Sequence, residues 1–238
     1  ATFNPNGGTV VFAGSSGTTL TVPATLTLNN ITVNKTNGAS VFFLSTSTLV
    51  ATGALTLTDG VMLINNGATI DAQGAVSIAP TFDGSQVTVL ISGAAARTVT
   101  LPVGAEIPAM TVNAPNVTLN ASGAPGTITF SQSLNLQSAA SFTNGAVNFV
   151  FSNAFTLGAV NFTPGSGDVT FNSSFTQTGG TFGLGSGALN FNSTFTLNGG
   201  TFNAPSGVLA FASNVTIAVA ATFNPNGGTV VFAGSSGT

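Results

Sequence analysis

The sequence predicts an all-β fold: a three-sided parallel β-helix, or β-solenoid, with about 20 residues in each turn. Three observations predict it. Apolar residues recur in columns with one shared period, apolar and polar residues alternate between the corners, and Gly- or Pro-containing stretches separate the alternating pieces. Stacking such turns pairs each strand with its neighbours and buries apolar faces that a single turn cannot bury.

The columns are clearest in the second half of the chain, where three series share the period. The first contains Phe151, Phe171, Phe191, Phe211 and Phe232. The second contains Leu134, Phe155, Phe175, Phe195 and Val215, and the third contains Phe142, Phe162, Phe182, Phe202 and Phe223. Three columns with one period predict three short strands in each turn, with like side chains stacked as structural ladders.

Within a turn, the pattern is that of strands and not of helices. Residues 189–192 read LNFN and residues 195–197 read FTL, which is the period-2 alternation of a strand. Corners are expected at PGSG (164–167), GSG (185–187) and PSG (205–207). Residues 13–128 keep the alternation with aliphatic filling and less regular corners. A right-handed solenoid is favoured, since the hexapeptide rhythm of left-handed β-helices is missing.

One segment occurs twice. Residues 1–18 read ATFNPNGGTVVFAGSSGT, and residues 221–238 repeat them letter for letter. Residues 1–220 are therefore predicted to be one solenoid unit of about 11 turns, and residues 221–238 to be the start of an identical unit. Neither copy resembles a terminal cap, so units are expected to continue head to tail, as covalent tandem repeats or as stacked separate chains.

The composition removes several classes of function. Only seven residues, 3%, are charged, and His, Cys, Trp and Tyr are absent. Nucleic-acid binding is not expected because no basic patch could neutralise phosphates. Disulfides and thiolate metal sites need cysteine, and no apolar run is long enough for a transmembrane helix. The 43% hydrophobic content nevertheless favours an ordered chain.

No catalytic, cofactor-binding or metal-binding residue is predicted, and the chain is not expected to be an enzyme. Catalysis on a β-helix needs carboxylates gathered in one groove, but the even spacing of Asp59, Asp71 and Asp83 is out of phase with the turn. Residues 66–71 (NGATID) match a calcium-binding nonapeptide only once and imperfectly. The two isolated cations, Lys35 and Arg97, are expected to lie along the surface.

Paired threonines raise an ice-binding ladder as a rival interpretation. The pairs are Thr19/Thr21, Thr25/Thr27, Thr46/Thr48, Thr56/Thr58, Thr98/Thr100 and Thr176/Thr178. Such a ladder needs a pair on every turn of one face. In the turns after Thr178 the corresponding residues are Asn198 and Ala218, which favours ordinary strand threonines.

Residues 199–211 (GGTFNAPSGVLAF) and 28–35 (LNNITVNK) resemble the repeats of large secreted or cell-surface bacterial β-helix proteins of the filamentous-haemagglutinin and adhesin kind. The resemblance implies an extracellular or cell-surface location and a structural or adhesive role. The expected function is that of a structural subunit of an extracellular fibre, sheath or matrix filament, with lateral bundling. The alternative is the stalk of an adhesin whose binding domain lies outside this sequence.

Overall fold

The computed structural model describes residues 3, 6–21, 24–43, 47–64, 68–139, 141–183 and 185–234. These residues form a β-solenoid of three parallel sheets, with about 55% of residues in strands and no helix. The chain makes about ten turns of roughly 21 residues each, which confirms the predicted fold class. No helix that could cross a membrane occurs among these residues. Parts of the duplicated segment (1, 2, 4, 5 and 235–238), together with Thr46 and Asn66, lie outside the described residues.

Face 1 is a continuous path of parallel strands along the solenoid. Its strands are β1 (Thr9–Gly14), β4 (Asn30–Lys35), β7 (Leu55–Ile64), β9 (Val76–Ile78), β12 (Arg97–Pro102), β14 (Val117–Ser122), β17 (Ser141–Thr143), β20 (Asn161–Thr163), β23 (Thr181–Phe182), β26 (Thr201–Asn203) and β29 (Thr222–Asn224).

Face 2 is divided by residues 103–108, which carry no strand. Before them come β2 (Thr18–Leu20), β5 (Ser40–Phe43), the second half of β7 and β10 (Phe82–Asp83). After them come β15 (Thr127–Phe130), β18 (Asn148–Phe151), β21 (Val169–Phe171), β24 (Leu189–Phe191), β27 (Val208–Phe211) and β30 (Thr229–Phe232).

Face 3 is again uninterrupted. Its strands are β3 (Thr25–Leu28), β6 (Thr48–Ala51), β8 (Thr69–Ala72), β11 (Thr88–Ile91), β13 (Ala109–Asn113), β16 (Leu134–Ser138), β19 (Phe155–Ala159), β22 (Phe175–Gln177), β25 (Phe195–Leu197) and β28 (Val215–Ile217). The chain visits faces 1, 2 and 3 in that order in every turn.

Turn length differs between the two halves of the solenoid. In the second half, Phe162 pairs with Phe182 and Phe182 pairs with Phe202, so two successive turns have the same short length. In the first half, Ile31 pairs with Leu55, which is a longer interval along the chain. Because the early turns are longer, the chain completes about ten turns where the sequence predicted about 11.

The filling of the core follows turn length. The short turn at 181–200 has few buried positions, and large side chains fill them: Phe182, Leu189, Phe191, Phe195 and Leu197. The longer turn at 30–54 has more buried positions and fills them with smaller side chains, among them Ile31, Val33, Val41, Leu49 and Ala51. Both solutions give one continuous apolar cluster from Phe12 to Phe211, in keeping with the near-crystalline packing of protein interiors.

One glycine bends a strand from face 1 to face 2. β7 spans both faces, and Gly60 lies at the bend with a φ of 91°. A Cβ at this position would lie 2.4 Å from the Cβ of Lys35 in the turn before. Both the positive φ and the close approach require glycine, so Gly60 fixes the stacking of two successive corners.

Candidate functional site

The aromatic column on face 2 is a stack of nearly parallel rings. Strand pairing aligns Phe130, Phe151, Phe171, Phe191, Phe211 and Phe232. Successive ring centroids are 4.5, 4.7, 4.9, 5.4 and 5.5 Å apart, with interplanar angles of 14°, 7°, 3°, 14° and 22°. Aromatic pairs in contact contribute about 0.5–1.5 kcal/mol beyond the area they bury. The column therefore fixes the register between turns.

The other two columns are aligned in the same way. The column on face 1 pairs in register through Phe142, Phe162, Phe182, Phe202 and Phe223. The column on face 3 pairs in register through Leu134, Phe155, Phe175, Phe195 and Val215. The columns also contact one another: the ring of Phe195 lies 4.8 Å from Phe191 and 5.1 Å from Phe202, both edge to face. The buried phenylalanines of the predicted ladders thus form one aromatic interior.

At its two extremes the described solenoid presents strand edges and apolar side chains. β28, β29 and β30 each pair with one strand, and so do β1, β2 and β3. Among the side chains at the β28–β30 extreme, Ile217 is 46% exposed, Val231 38% and Phe232 72%. Unpaired N–H and C=O groups beside exposed apolar side chains form a template on which a further strand can pair. This edge is the strongest candidate functional site in the described part of the chain.

Lys35 is buried, which corrects the prediction that it lies on the surface. It is 2% exposed at the end of β4, where face 1 meets face 2. Its Nζ donates to the carbonyl oxygens of Ala13 and Ser16, both at 2.8 Å, and to the hydroxyl of Thr18 at 2.6 Å. Since an ammonium group has three donors, all are used. Lys35 therefore links its own turn by hydrogen bonds to the corner of the preceding turn.

Arg97 is half-buried and also binds a corner. Its Nη1 donates to the carbonyl of Ala95 at 3.0 Å, and its Nη2 donates to the carbonyls of Ala72 and Ser92. Burial lowers the pKa of the guanidinium, and the nearby carboxylate of Asp71 opposes that shift. Asp71 accepts from Ser92 Oγ at 2.5 Å and from Gln73 Nε2 at 2.9 Å. These groups join successive turns where face 3 meets face 1.

Two further acidic residues, Asp59 and Asp83, accept hydrogen bonds from backbone N–H groups close by in the chain. Asp59 lies in β7 and accepts from the N–H of Gly60, whereas Asp83 lies in β10 and accepts from the N–H of Ser85. Both serve local turns. Within the described ranges no three acidic side chains come close enough to share a metal ion.

A shallow depression accompanies the break in face 2. It has a volume of about 200 Å³ and is lined by Gly104, Ala105, Glu106, Thr129 and Ser131. Ser131 Oγ donates to Glu106 Oε1 at 3.1 Å. The depression therefore brings one hydroxyl and one carboxylate into hydrogen-bond contact.

Gln177 is a buried polar residue that the sequence analysis missed. It aligns with Leu157 in the turn before and Leu197 in the turn after, and it is fully buried. The two protons of its Nε2 are shared among the carbonyl oxygens of Gly179, Gly180 and Thr201, while its Oε1 has no partner among the described residues. The column itself carries the signal that could have found it, namely a polar side chain at an inward position.

Asn144 holds two successive corners together. It is 1% exposed, its Nδ2 donates to the carbonyl of Val147 at 2.6 Å, and its Oδ1 accepts from the N–H of Gly165 at 2.8 Å. Asn144 is followed by Gly145, and an Asn-Gly pair is typical of a turn. Corner side chains in this solenoid therefore bind between turns as well as within them.

The outward threonines form a single column on face 3. Thr156, Thr176, Thr196 and Thr216 pair in register. The second member of the Thr176/Thr178 pair lies beyond β22, at the corner after that strand. A flat face with two threonine columns is therefore not formed in this part of the solenoid.

Comparison with known proteins adds no relative. A scan against models of protein families finds no match, and searches of the curated proteins and of the solved structures find none either. The functional argument therefore depends on the geometry of the solenoid and its edge.

Proposed function

We propose that this chain is a structural unit of an extracellular fibre, in which β-solenoid units follow one another head to tail. One observation carries the proposal. In the first copy of the duplicated segment, β1 pairs in parallel with β4, which belongs to the next turn. The second copy contains the same residues in β30 and so offers the same edge to a following unit.

The energetics of an added turn favour continuation. Each buried Phe or Leu side chain stabilises the stack by roughly 1.5–3 kcal/mol relative to an exposed one. With 3% charged residues, little electrostatic repulsion opposes either axial stacking or lateral contact between fibres. The proposal therefore includes bundling of fibres into a sheath or matrix.

An extracellular location is supported by the way the two basic residues are used. Trypsin-like proteases need Lys or Arg, and the chain contains only Lys35 and Arg97, of which Lys35 is buried. The resemblance to filamentous-haemagglutinin and adhesin repeats points the same way. In the alternative role, the solenoid is the stalk of an adhesin that carries recognition in a separate, non-repeated domain.

The test uses the native material. Antibodies raised against the purified chain should label filaments on intact, unpermeabilised cells of the source organism in immunogold microscopy. Label confined to permeabilised cells would contradict the proposal, and label only at the base of a distinct tip domain would favour the stalk.

The mass of the denatured filament protein then tells how the units are joined. Covalent tandem units should run as one very large band. Separate stacked units should instead run slightly below the 23.3 kDa of the present chain, because residues 221–238 would belong to the next unit.

A further inference from the structure

The two copies of the duplicated segment lie on different faces of the solenoid. Residues 9–14 and 229–234 both read TVVFAG. β1 belongs to face 1, where it pairs with β4, whereas β30 belongs to face 2, where it pairs with β27. The same local sequence thus occurs in two orientations about the solenoid axis.

The difference follows from the number of faces in one unit. From β1 to β30 the chain completes ten turns and then advances by one further face. Two irregular places keep the same order of faces and are included in this count. β7 covers faces 1 and 2 in a single strand, and residues 103–108 cross face 2 without forming a strand. The unit formed by residues 1–220 is therefore not a whole number of turns.

We propose that a second copy of this chain continues the solenoid by pairing its Asn30–Lys35 strand with residues 229–234, rotated by one third of a full turn about the axis. In a tandem protein, residues 221–238 are themselves the opening segment of that copy. This rests on the proposed function. Face 2 of each unit continues as face 1 of the next, so each unit is rotated about the solenoid axis by one third of a full turn relative to the unit before it. The original orientation returns after three units.

The contact that would form at the junction already exists inside the chain. Phe12 pairs with Val33 beneath β4 and is 9% exposed, whereas the identical Phe232 has no strand on its outer side in the described structure and is 72% exposed. Lys35 donates to the carbonyl of Ala13, whose counterpart in the second copy is Ala233. A following unit would thus cover Phe232 with its Val33 and bind Ala233 through its Lys35.

The rotation has a consequence for lateral assembly. Features that occur once in each unit, such as the break in face 2 at residues 103–108 and the corner at Arg97, would appear on all three sides of the fibre in succession. A fibre built in this way has no single distinct side. Bundles could therefore grow in three directions through the same surface.

The experiment uses a tandem of at least six units with Thr98→Cys in each unit, labelled with maleimide-gold and imaged by cryo-electron tomography. The chain has no natural cysteine, and Thr98 is an exposed residue of β12 on face 1. The expected labels are about 50 Å apart along the rod, and each is displaced by one face from the one before. The orientation should therefore repeat every third label, so that the first and fourth labels lie on the same side.

Two controls make the result readable. One unit labelled at both Thr98→Cys and Thr127→Cys calibrates an offset of one face, because Thr127 is exposed on face 2 in the next turn. Deleting residues 181–200 from every unit removes one full turn, which should shorten the spacing by about 5 Å and leave the angular step unchanged. Labels aligned along one side of intact rods would contradict the proposed rotation but not the proposed fibre. If no rods form, the proposed fibre itself is contradicted.

Discussion

Phe171 and Phe191, which occupy equivalent positions in successive turns, lie with their ring centroids 4.9 Å apart and their planes within 3° of parallel. Each is 1% exposed. The pair is one step in a column in which every inner ring has a ring above and a ring below. Because each side chain packs against its counterparts in adjacent turns, the column links local sequence to the length of the whole solenoid.

Shortening Phe191 should weaken the stack in proportion to the volume removed. Phe191→Ala is expected to lower the free energy of unfolding by about 3–5 kcal/mol, and Phe191→Leu by less, because a leucine fills part of the cavity. Urea denaturation followed by circular dichroism measures both. Asn190→Ala is the matched control, since Asn190 points outward in the same strand and aligns with Ala210 in the next turn. Equal losses for Phe191→Ala and Asn190→Ala would contradict an aromatic core.

Replacing Gln177 with leucine should stabilise the chain by about 1 kcal/mol, because the buried Oε1 of Gln177 has no partner and an unsatisfied buried acceptor costs about 1–3 kcal/mol. The substitution removes the two Nε2 protons that three carbonyl oxygens share, yet the following turn forms the same Gly-Gly corner with Leu197. Thermal unfolding of Gln177→Leu beside Gln177→Ala tests this. A melting temperature of the leucine variant below that of the unaltered chain would show that the corner needs the amide.

Removing the amino group of Lys35 should loosen the corner before it. Lys35→Met keeps most of the aliphatic stem but leaves the carbonyls of Ala13 and Ser16 and the hydroxyl of Thr18 without their donor. Hydrogen bonds to charged groups contribute about 1.5–3 kcal/mol each, partly offset here by the cost of burying the charge, so a net loss of about 2 kcal/mol is expected. Hydrogen exchange should report faster exchange at residues 13–18 and no change in the aromatic half. Unchanged protection at residues 13–18 would contradict the role given to Lys35.

Glycines at stacked corners should differ according to the space around them. A Cβ at Gly187 would lie 2.4 Å from the carbonyl oxygen of Gly167, whereas at Gly207 the nearest atom is 3.1 Å away. Gly187→Ala should therefore cost about 1–3 kcal/mol by overpacking, and Gly207→Ala should cost less. Chemical denaturation of the two variants measures the difference. A larger loss at Gly207 would mean that the corners stack differently.

Limited proteolysis should distinguish the two basic residues. Trypsin has two target positions in this sequence, Lys35 and Arg97. The folded chain is expected to be cut after Arg97, which is half-buried but directly follows the exposed corner at residues 93–96, well before it is cut after the buried Lys35. A protease needs the backbone to open locally, and opening is easier beside an exposed corner. Mass spectrometry of a time course identifies the order, and earlier cleavage after Lys35 would contradict its burial. The urea-denatured chain is the control and should be cut at both positions without preference.

The regular half of the chain made the fold predictable. The spacing between successive phenylalanines gives the turn length directly, because paired residues such as Phe171 and Phe191 occupy the same position in consecutive turns. The first half hides the period because corners absorb extra residues and its aliphatic side chains interchange. The total number of turns, and with it the face on which β30 lies, could not be counted from the sequence.

The sequence analysis also missed the inter-turn contacts of the polar groups, for different reasons. Burial of Lys35 depends on carbonyl groups of Ala13 and Ser16 that converge only once the corner is folded. The contact of Arg97 with the carbonyl of Ala72 in the preceding turn depends likewise on stacking between turns. Gln177 was accessible in principle, because the column places a polar residue between Leu157 and Leu197.

The length of tandem rods tests the central claim most directly. Chains containing one, two and four units should be measured by negative-stain electron microscopy. Continuous stacking predicts rods of constant width that lengthen by about 50 Å for each added unit, from ten turns and one face at about 4.8 Å per turn. Particles whose length stays constant while their diameter grows, or beads separated by flexible gaps, would contradict it.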